Sequence, residues 1–244
     1  IKEKSELDNL LKETELKSLQ SQINPHFLFN MLNTLSRTAY LEGAERASEL
    51  IDSAAALMRH NLSRLDRPTT LGKEVDIIRE YFFLQSARFG ERVTFRTDIN
   101  EACLQAEIPN MTLQPIVENA FIHGIESYEE GAEITMTIDF DDADVRVEVR
   151  DNGVGMDEET RKRLLADEDR EEVAERKGHS TGLGVRNVMK RLELFYRRDH
   201  LMEIRSAAGK GTTVVLKLPE KAGGARWPST DCSSLTTKRS SGGR

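Results

Sequence analysis

Cysteine is almost missing: only Cys103 and Cys232 occur, with no C-x-x-C or metal-like spacing. That excludes a disulfide framework and a zinc site as organising principles, and it suits a reducing compartment. Long apolar runs are missing too. None approaches the roughly 18 residues that a membrane span needs, and no signal-peptide pattern opens the chain. Basic charge is in deficit, with 35 Lys and Arg against 42 Asp and Glu, a net charge of −7. Such a balance argues against non-specific nucleic-acid or anionic-membrane binding as the main activity, although an acidic chain can still hold a phosphate locally. The single tryptophan, Trp227, lies in a stretch with no helix or strand pattern.

What is present is a polar yet foldable chain, 32% charged and 38% hydrophobic over 244 residues. At about 150 residues per domain, that length allows one to two domains, one of them with a sizeable core. The chain opens on Ile1 rather than Met, which points to a segment preceding it, and such a segment could include membrane spans.

Residues 1–23 are charged and helix-favouring, with Leu7, Leu11, Leu16, Leu19 and Ile23 spaced near one helical turn, as at the end of a longer helix. From Phe27 to Tyr40, Leu28, Leu32, Leu35 and Ala39 form one apolar stripe, which places His26 on the opposite, solvent-facing side. After Gly43 a second stripe follows, through Ala47, Leu50, Ile51, Ala54, Leu57, Met58, Asn61 and Leu65. The two read as a helical hairpin that cannot bury both stripes alone, so a dimeric four-helix bundle is expected. Beyond Pro68 the pattern becomes α+β. Helices are expected over Leu71–Arg88, Met111–Gly124 and Val185–Tyr196, and alternating strands over Val93–Ile99, Ile134–Phe140, Val145–Val149 and Thr213–Leu218. The charged stretch 157–177 reads as a solvated helix or a lid, and 221–244, rich in Ser, Gly and Thr, as a disordered tail.

Four constellations could carry chemistry. Asp151-Asn152-Gly153-Val154-Gly155 follows a strand. Asn-Gly is a strong hairpin signal, but the next residues read as a helix with an acidic first turn. A carboxylate at a strand end can accept from an exocyclic amine, and glycines let a flat ring approach the backbone. Thr181-Gly182-Leu183-Gly184 opens a helix, where free N–H groups and the helix dipole favour an anion; taken alone, a plain loop before a helix is the better reading, and it is the accompanying motifs that give it weight. Glu118-Asn119 and His123 lie on one helix, with Asn119 and His123 a turn apart on a common flank. The Asn119 amide oxygen could ligate a hard cation such as Mg²⁺, or be a core polar group. Finally, His26 in Asn24-Pro25-His26-Phe27-Leu28-Phe29-Asn30 is an exposed imidazole with an accessible lone pair, able to act as a nucleophile.

Taken together, N-P-H-F-L-F-N, E-N with His123, D-N-G-V-G-M and T-G-L-G-V-R-N-V resemble the LytS-type sensor histidine kinases, whose ATP domain has the GHKL (Bergerat) fold; the match runs in order from about Leu19 to Pro219. The resemblance implies an incoming signalling helix at 1–23, a dimerising phospho-acceptor hairpin at 24–70 and a catalytic α/β-sandwich ATP domain at 71–220. It further implies ATP bound by Asn119, His123, Asp151, Gly153, Gly155, Thr181, Gly182, Leu183 and Gly184, with Asp151 on the adenine amine and Mg²⁺ on Asn119. His26 would take the γ-phosphoryl group and pass it to an aspartate of a response-regulator receiver domain, with Glu118 a candidate base. The implied setting is the cytoplasmic part of a homodimer anchored in the cell membrane through a preceding region. Three positions depart from common patterns. Phe27 stands where many other histidine kinases place an acid, Ile122 where this family often has lysine, and Ser180 where a further glycine is common. Two other readings remain open: a GHKL ATPase or serine/threonine kinase with a structural His26, and a non-catalytic dimeric signalling module.

Overall fold

The computed structural model describes residues 25–62, 67–125, 131–165 and 183–219. The expected incoming helix, most of the 157–177 lid, Thr181, Gly182 and the 221–244 tail therefore lie outside the described residues, as do the side chains of His123 and Leu183. The chain divides into two compact units: Ile1–Ser63 with Glu80–Gln85, and Arg64–Arg79 with Ser86–Arg244.

In the first unit, helices α1 (Pro25–Leu41) and α2 (Glu45–Asn61) pack as a hairpin around Gly43, whose φ of +79° suits the turn. The seam between them differs from the expected leucine stripe. It is built on small residues: Ser36 and Ser48 are buried with their hydroxyls 3.0 Å apart, and Ala55 is fully buried. Leu28 and Leu32 are half-buried, whereas Leu35 and Ala47, both expected to be packed, are exposed. Small residues let two backbones approach closely, so the larger apolar side chains turn away from the seam. Phe27, Met31 and Leu35 recur every fourth residue and all remain exposed in the single chain.

The second unit is a layer of helices on a mixed five-stranded sheet. Its strands are β2 (Val93–Ile99), β4 (Ala132–Asp141), β5 (Asp144–Asp151), β6 (Met202–Ser206) and β7 (Thr212–Leu218), in the order β2-β4-β5-β7-β6, with only the β2–β4 pair parallel. A small two-stranded sheet pairs β1 (Pro68–Thr70) with β3 (Glu107–Pro109). Alternation sets the core face: Ala132, Ile134, Met136 and Ile138 of β4 and Val145, Val147 and Val149 of β5 are buried, while polar residues between them face outward. Helix α3 (Leu71–Phe89) contributes Leu71, Val75 and Ile78 to the core, α4 (Gln114–Asn119) contributes Ile116 and Val117, and α6 (Leu183–Tyr196) contributes Val185, Val188 and Leu192. Each such side chain taken fully out of water is worth about 1.5–3 kcal/mol. A short helix α5 (Glu158–Leu165) follows β5, started by Asp157, whose carboxylate accepts from the Thr160 N–H at 2.7 Å.

The expected strands and the helices over 71–88 and 185–196 form within a residue or two. The helix expected over Met111–Gly124 does not form as one piece. Met111 takes a left-handed φ of +61°, the α-helix runs only from Gln114 to Asn119, and Ala120–Ile125 widens into a π-helix. Phe121 anchors that wider turn edge-on against Phe89, with ring centroids 5.0 Å apart. The edge strand β6 carried no alternation strong enough to be expected.

Candidate functional site

Asp151 is the centre of the site. It continues the i, i+2 series Val145, Val147, Val149 and is 3% exposed, a carboxylate at a position the strand period reserves for the core. The peptide N–H groups of Gly153 and Thr212 both donate to its Oδ1, at 2.9 and 3.2 Å. Its Oδ2 accepts no hydrogen bond from another described residue. Burial pushes the carboxyl above its ordinary range, while those two N–H groups and the charge of Arg150 act the other way. One oxygen is thus immobilised and the other left to accept from something else.

The loop after Asp151 is held on both sides. Asn152 accepts from the Glu133 N–H at 2.8 Å and donates to the Gly131 carbonyl at 2.8 Å, which latches the loop to β4 and replaces the hairpin that Asn-Gly would suggest. Opposite, the β6–β7 turn closes in. Gly155 has a φ of +63°, and a Cβ on it would stand 2.1 Å from the Ala207 carbonyl oxygen. A Cβ on Gly211, with a φ of +75°, would stand 2.0 Å from the carbonyl oxygen of Asp151. Both positions therefore require glycine for backbone contact and φ together. Gly153 is buried beside Asp151.

Asn119 ends α4 half-buried, and its side-chain amide has no hydrogen-bond partner among the described residues. Its oxygen is the right kind of ligand for a hard cation, so the residue fits a Mg²⁺ role. The π-helix begins at the next residue, so the relation of Asn119 to His123 is set by an i→i+5 turn rather than by the α-helical flank expected. Glu118 accepts from the Gln114 amide at 2.7 Å, which fixes its carboxylate. Gly184 opens α6 against Pro115, with 3.6 Å to the Pro115 Cβ from a Cβ built there. The two helices that start and end the proposed phosphate region thus touch.

Sequence reasoning missed the residues that hold this arrangement. Glu74 on α3 is 1% exposed and accepts three peptide N–H bonds, from Met111 at 2.8 Å, Thr112 at 3.1 Å and Leu113 at 3.0 Å. The signal was available: Glu74 falls among Leu71, Val75 and Ile78 on the apolar stripe of its helix. Arg191 on α6 donates to the Met111 carbonyl. Burial weakens the hold of that guanidinium on its proton, and the charge of Glu74 opposes the effect.

In the helical unit, His26 is exposed, and the Asn30 amide lies 3.3 Å from its Nδ1, one turn on. The atom of that amide facing the ring is its nitrogen, Nδ2, a donor, so the Nδ1 lone pair accepts and the ring proton is carried on Nε2.

Two families match the chain. One, described as "Histidine kinase", matches residues 14–93, and another, described as "Histidine kinase-, DNA gyrase B-, and HSP90-like ATPase", matches residues 109–222. Among curated relatives, Sensor histidine kinase YesM of Bacillus subtilis is 32% identical over 90% of this chain and 36% of its own length. Sensor protein LytS of Staphylococcus haemolyticus is 37% identical over 62% of this chain and 26% of its own. A solved structure of the catalytic domain of histidine kinase ThkA aligns with a TM-score of 0.45 at 19% identity, covering 63% of this chain and 97% of that one. The chain spans about a third of the length of the curated relatives it matches. Among the described residues no helix is long and apolar enough to cross a membrane. With an N-P-H-F-L-F-N helix in one unit and a GHKL-type sheet carrying D-N-G-V-G in the other, the chain belongs to the LytS-type sensor histidine kinases.

Proposed function

We propose that this chain is the kinase core of a two-component sensor: it binds ATP in its second unit, phosphorylates His26, and donates the phosphoryl group to an aspartate of a response-regulator receiver domain. The observation that carries the ATP assignment is Asp151, a buried carboxylate with Oδ1 held by two N–H groups and Oδ2 left to accept. An adenine amine is the matching donor. Guanine presents a carbonyl there, and two acceptors facing each other without a proton would be unpaired, so adenine is selected. Gly153 and Gly155 shape that wall. At the other end, Asn119 would hold Mg²⁺ through its amide oxygen, and His123, Thr181, Gly182, Leu183 and Gly184 are the residues the family resemblance assigns to the phosphates. Mg²⁺ held there would offset phosphate charge, and positioning does most of the rest in such transfers.

In the transfer, the lone pair of a His26 ring nitrogen forms a bond to the γ-phosphorus as the bond from that phosphorus to the β,γ-bridging oxygen breaks. ADP leaves with that electron pair. The other ring nitrogen gives up its proton, for which Glu118 is the candidate acceptor. The exposed stripe of Phe27, Met31 and Leu35 supports a second copy of the chain as the partner of the helical hairpin, giving a four-helix bundle. Anchorage in the cell membrane through a preceding region is proposed from the sensor names of the relatives.

The test is incubation with γ-labelled ATP and Mg²⁺, comparing the parent with His26→Gln. The parent should acquire acid-labile, base-stable label and the variant none. Label that persists in the variant, or ATP consumption with no labelled protein, would assign the chain to a different reaction.

A further inference from the structure

Burying a carboxylate is unfavourable unless its lone pairs are met, so Glu74, 1% exposed among Leu71, Val75 and Ile78, must serve a local purpose. Its partners identify that purpose. Helix α4 has six residues, too short to hold its own position, and its N-cap residue, Leu113, offers no side-chain hydrogen bond. The N–H groups left open ahead of such a helix need acceptors. Glu74 supplies them from another helix, taking the N–H of Met111 on Oε1 and those of Thr112 and Leu113 on Oε2.

The loop it holds is not one the chain would adopt unaided. Met111 sits at a φ of +61°, a left-handed conformation that a non-glycine residue keeps only where its surroundings hold it. The carbonyl of the same residue is taken by Arg191 of α6. Met111 is therefore clamped from both sides, an anion on its N–H and a cation on its carbonyl. Helix α6 is fastened a second time at its far end, where the Tyr196 hydroxyl donates to the Glu107 carbonyl at 2.8 Å. Its near end rests on Pro115 through Gly184.

We infer that Glu74, with Arg191, is a positioning residue for the phosphate and metal end of the nucleotide site, setting together the helix that ends in Asn119 and the helix that begins at the glycine loop. The inference rests on the ATP reading above. The adenine end depends on a separate set of contacts, Asp151 with Gly153, Gly211 and Thr212, so the two ends are separable by experiment.

The experiment is calorimetric titration of the parent, Glu74→Gln and Arg191→Met with MgATP and, separately, with adenosine, alongside the Mg²⁺ concentration for half-maximal ATP binding and the unfolding midpoint. A glutamine has one acceptor oxygen where three N–H groups need two, so its NH₂ faces a donor. Glu74→Gln should weaken MgATP by about tenfold or more and raise the Mg²⁺ requirement, with adenosine affinity within about threefold of the parent. Arg191→Met should shift MgATP the same way by less, and it decides the matter if Glu74→Gln fails to fold. Proportional loss of both ligands would reduce the clamp to a general stabiliser and overturn the inference, as would unchanged MgATP binding in a folded variant. A parent that binds no MgATP would instead defeat the ATP reading itself.

Discussion

Replacing Asp151 with asparagine should separate affinity from stability in opposite directions. The Gly153 and Thr212 N–H groups both aim at Oδ1, so an asparagine must present its carbonyl oxygen there. Its NH₂ then occupies the place of Oδ2, a donor facing the donor amine of adenine. A hydrogen bond to a charged group is worth about 1.5–3 kcal/mol, so ATP affinity should fall by at least about 10- to 150-fold. The unliganded protein should respond otherwise. Burial raises the folded-state carboxyl pKa, so between the unfolded and folded values the native state binds more protons, and stability falls as pH rises through that window. Above it the ionised, desolvated carboxylate is a standing cost. Asp151→Asn removes that cost while keeping both N–H bonds satisfied. Its urea midpoint at pH 7 should match or exceed the parent's, and its advantage should shrink as pH is lowered through the carboxylate range. ATP affinity within about threefold of the parent, or a lower midpoint at pH 7, would refute the assignment of Oδ1 to the backbone and Oδ2 to the ligand.

Other outcomes follow from the packing. Gly155→Ala must move the Ala207 carbonyl as well as adopt an unfavourable φ, and it should cost far more in chemical denaturation than Gly209→Ala, where φ is +72° but nothing lies within 4 Å and the cost should be about 1–2 kcal/mol. Ser36→Ala leaves the buried Ser48 hydroxyl unmet and should destabilise by about 1–3 kcal/mol, whereas the double Ser36→Ala, Ser48→Ala variant should recover most of the loss in a double-mutant cycle. Leu35→Asp should change folding of the single chain little, because the residue is 52% exposed, yet shift sedimentation from dimer to monomer; a persistent dimer would move the interface elsewhere.

Helix α1 shows the limit of periodicity. Its apolar repeat was plain, and the helix formed, but the face turned to α2 carries Ser36 rather than Leu35, since the repeat does not say which of two neighbouring stripes meets which partner. The 111–124 segment shows another limit. An apolar pattern running through Leu113, Ile116, Val117 and Ala120 reads as one helix, whereas distant contacts divide it: Glu74 and Arg191 fix Met111, and Phe89 holds the widened turn at Phe121.

Local rules were sufficient where the cause is local. Strand alternation, glycine after a strand, an acidic helix start and the identity of Asp151, Asn119 and His26 as chemical candidates are written in neighbouring residues. The tertiary structure alone decided which oxygen of Asp151 stays free, because Thr212 is 61 positions away in sequence. It likewise decided that Gly155 must be glycine because the Ala207 carbonyl closes on it, that Gly211 must be because the Asp151 carbonyl does, and that Glu74 caps a helix 39 positions onward. Such pairings depend on where a folded sheet and its helices bring remote backbone groups, and a pattern of side chains along one segment carries no record of that.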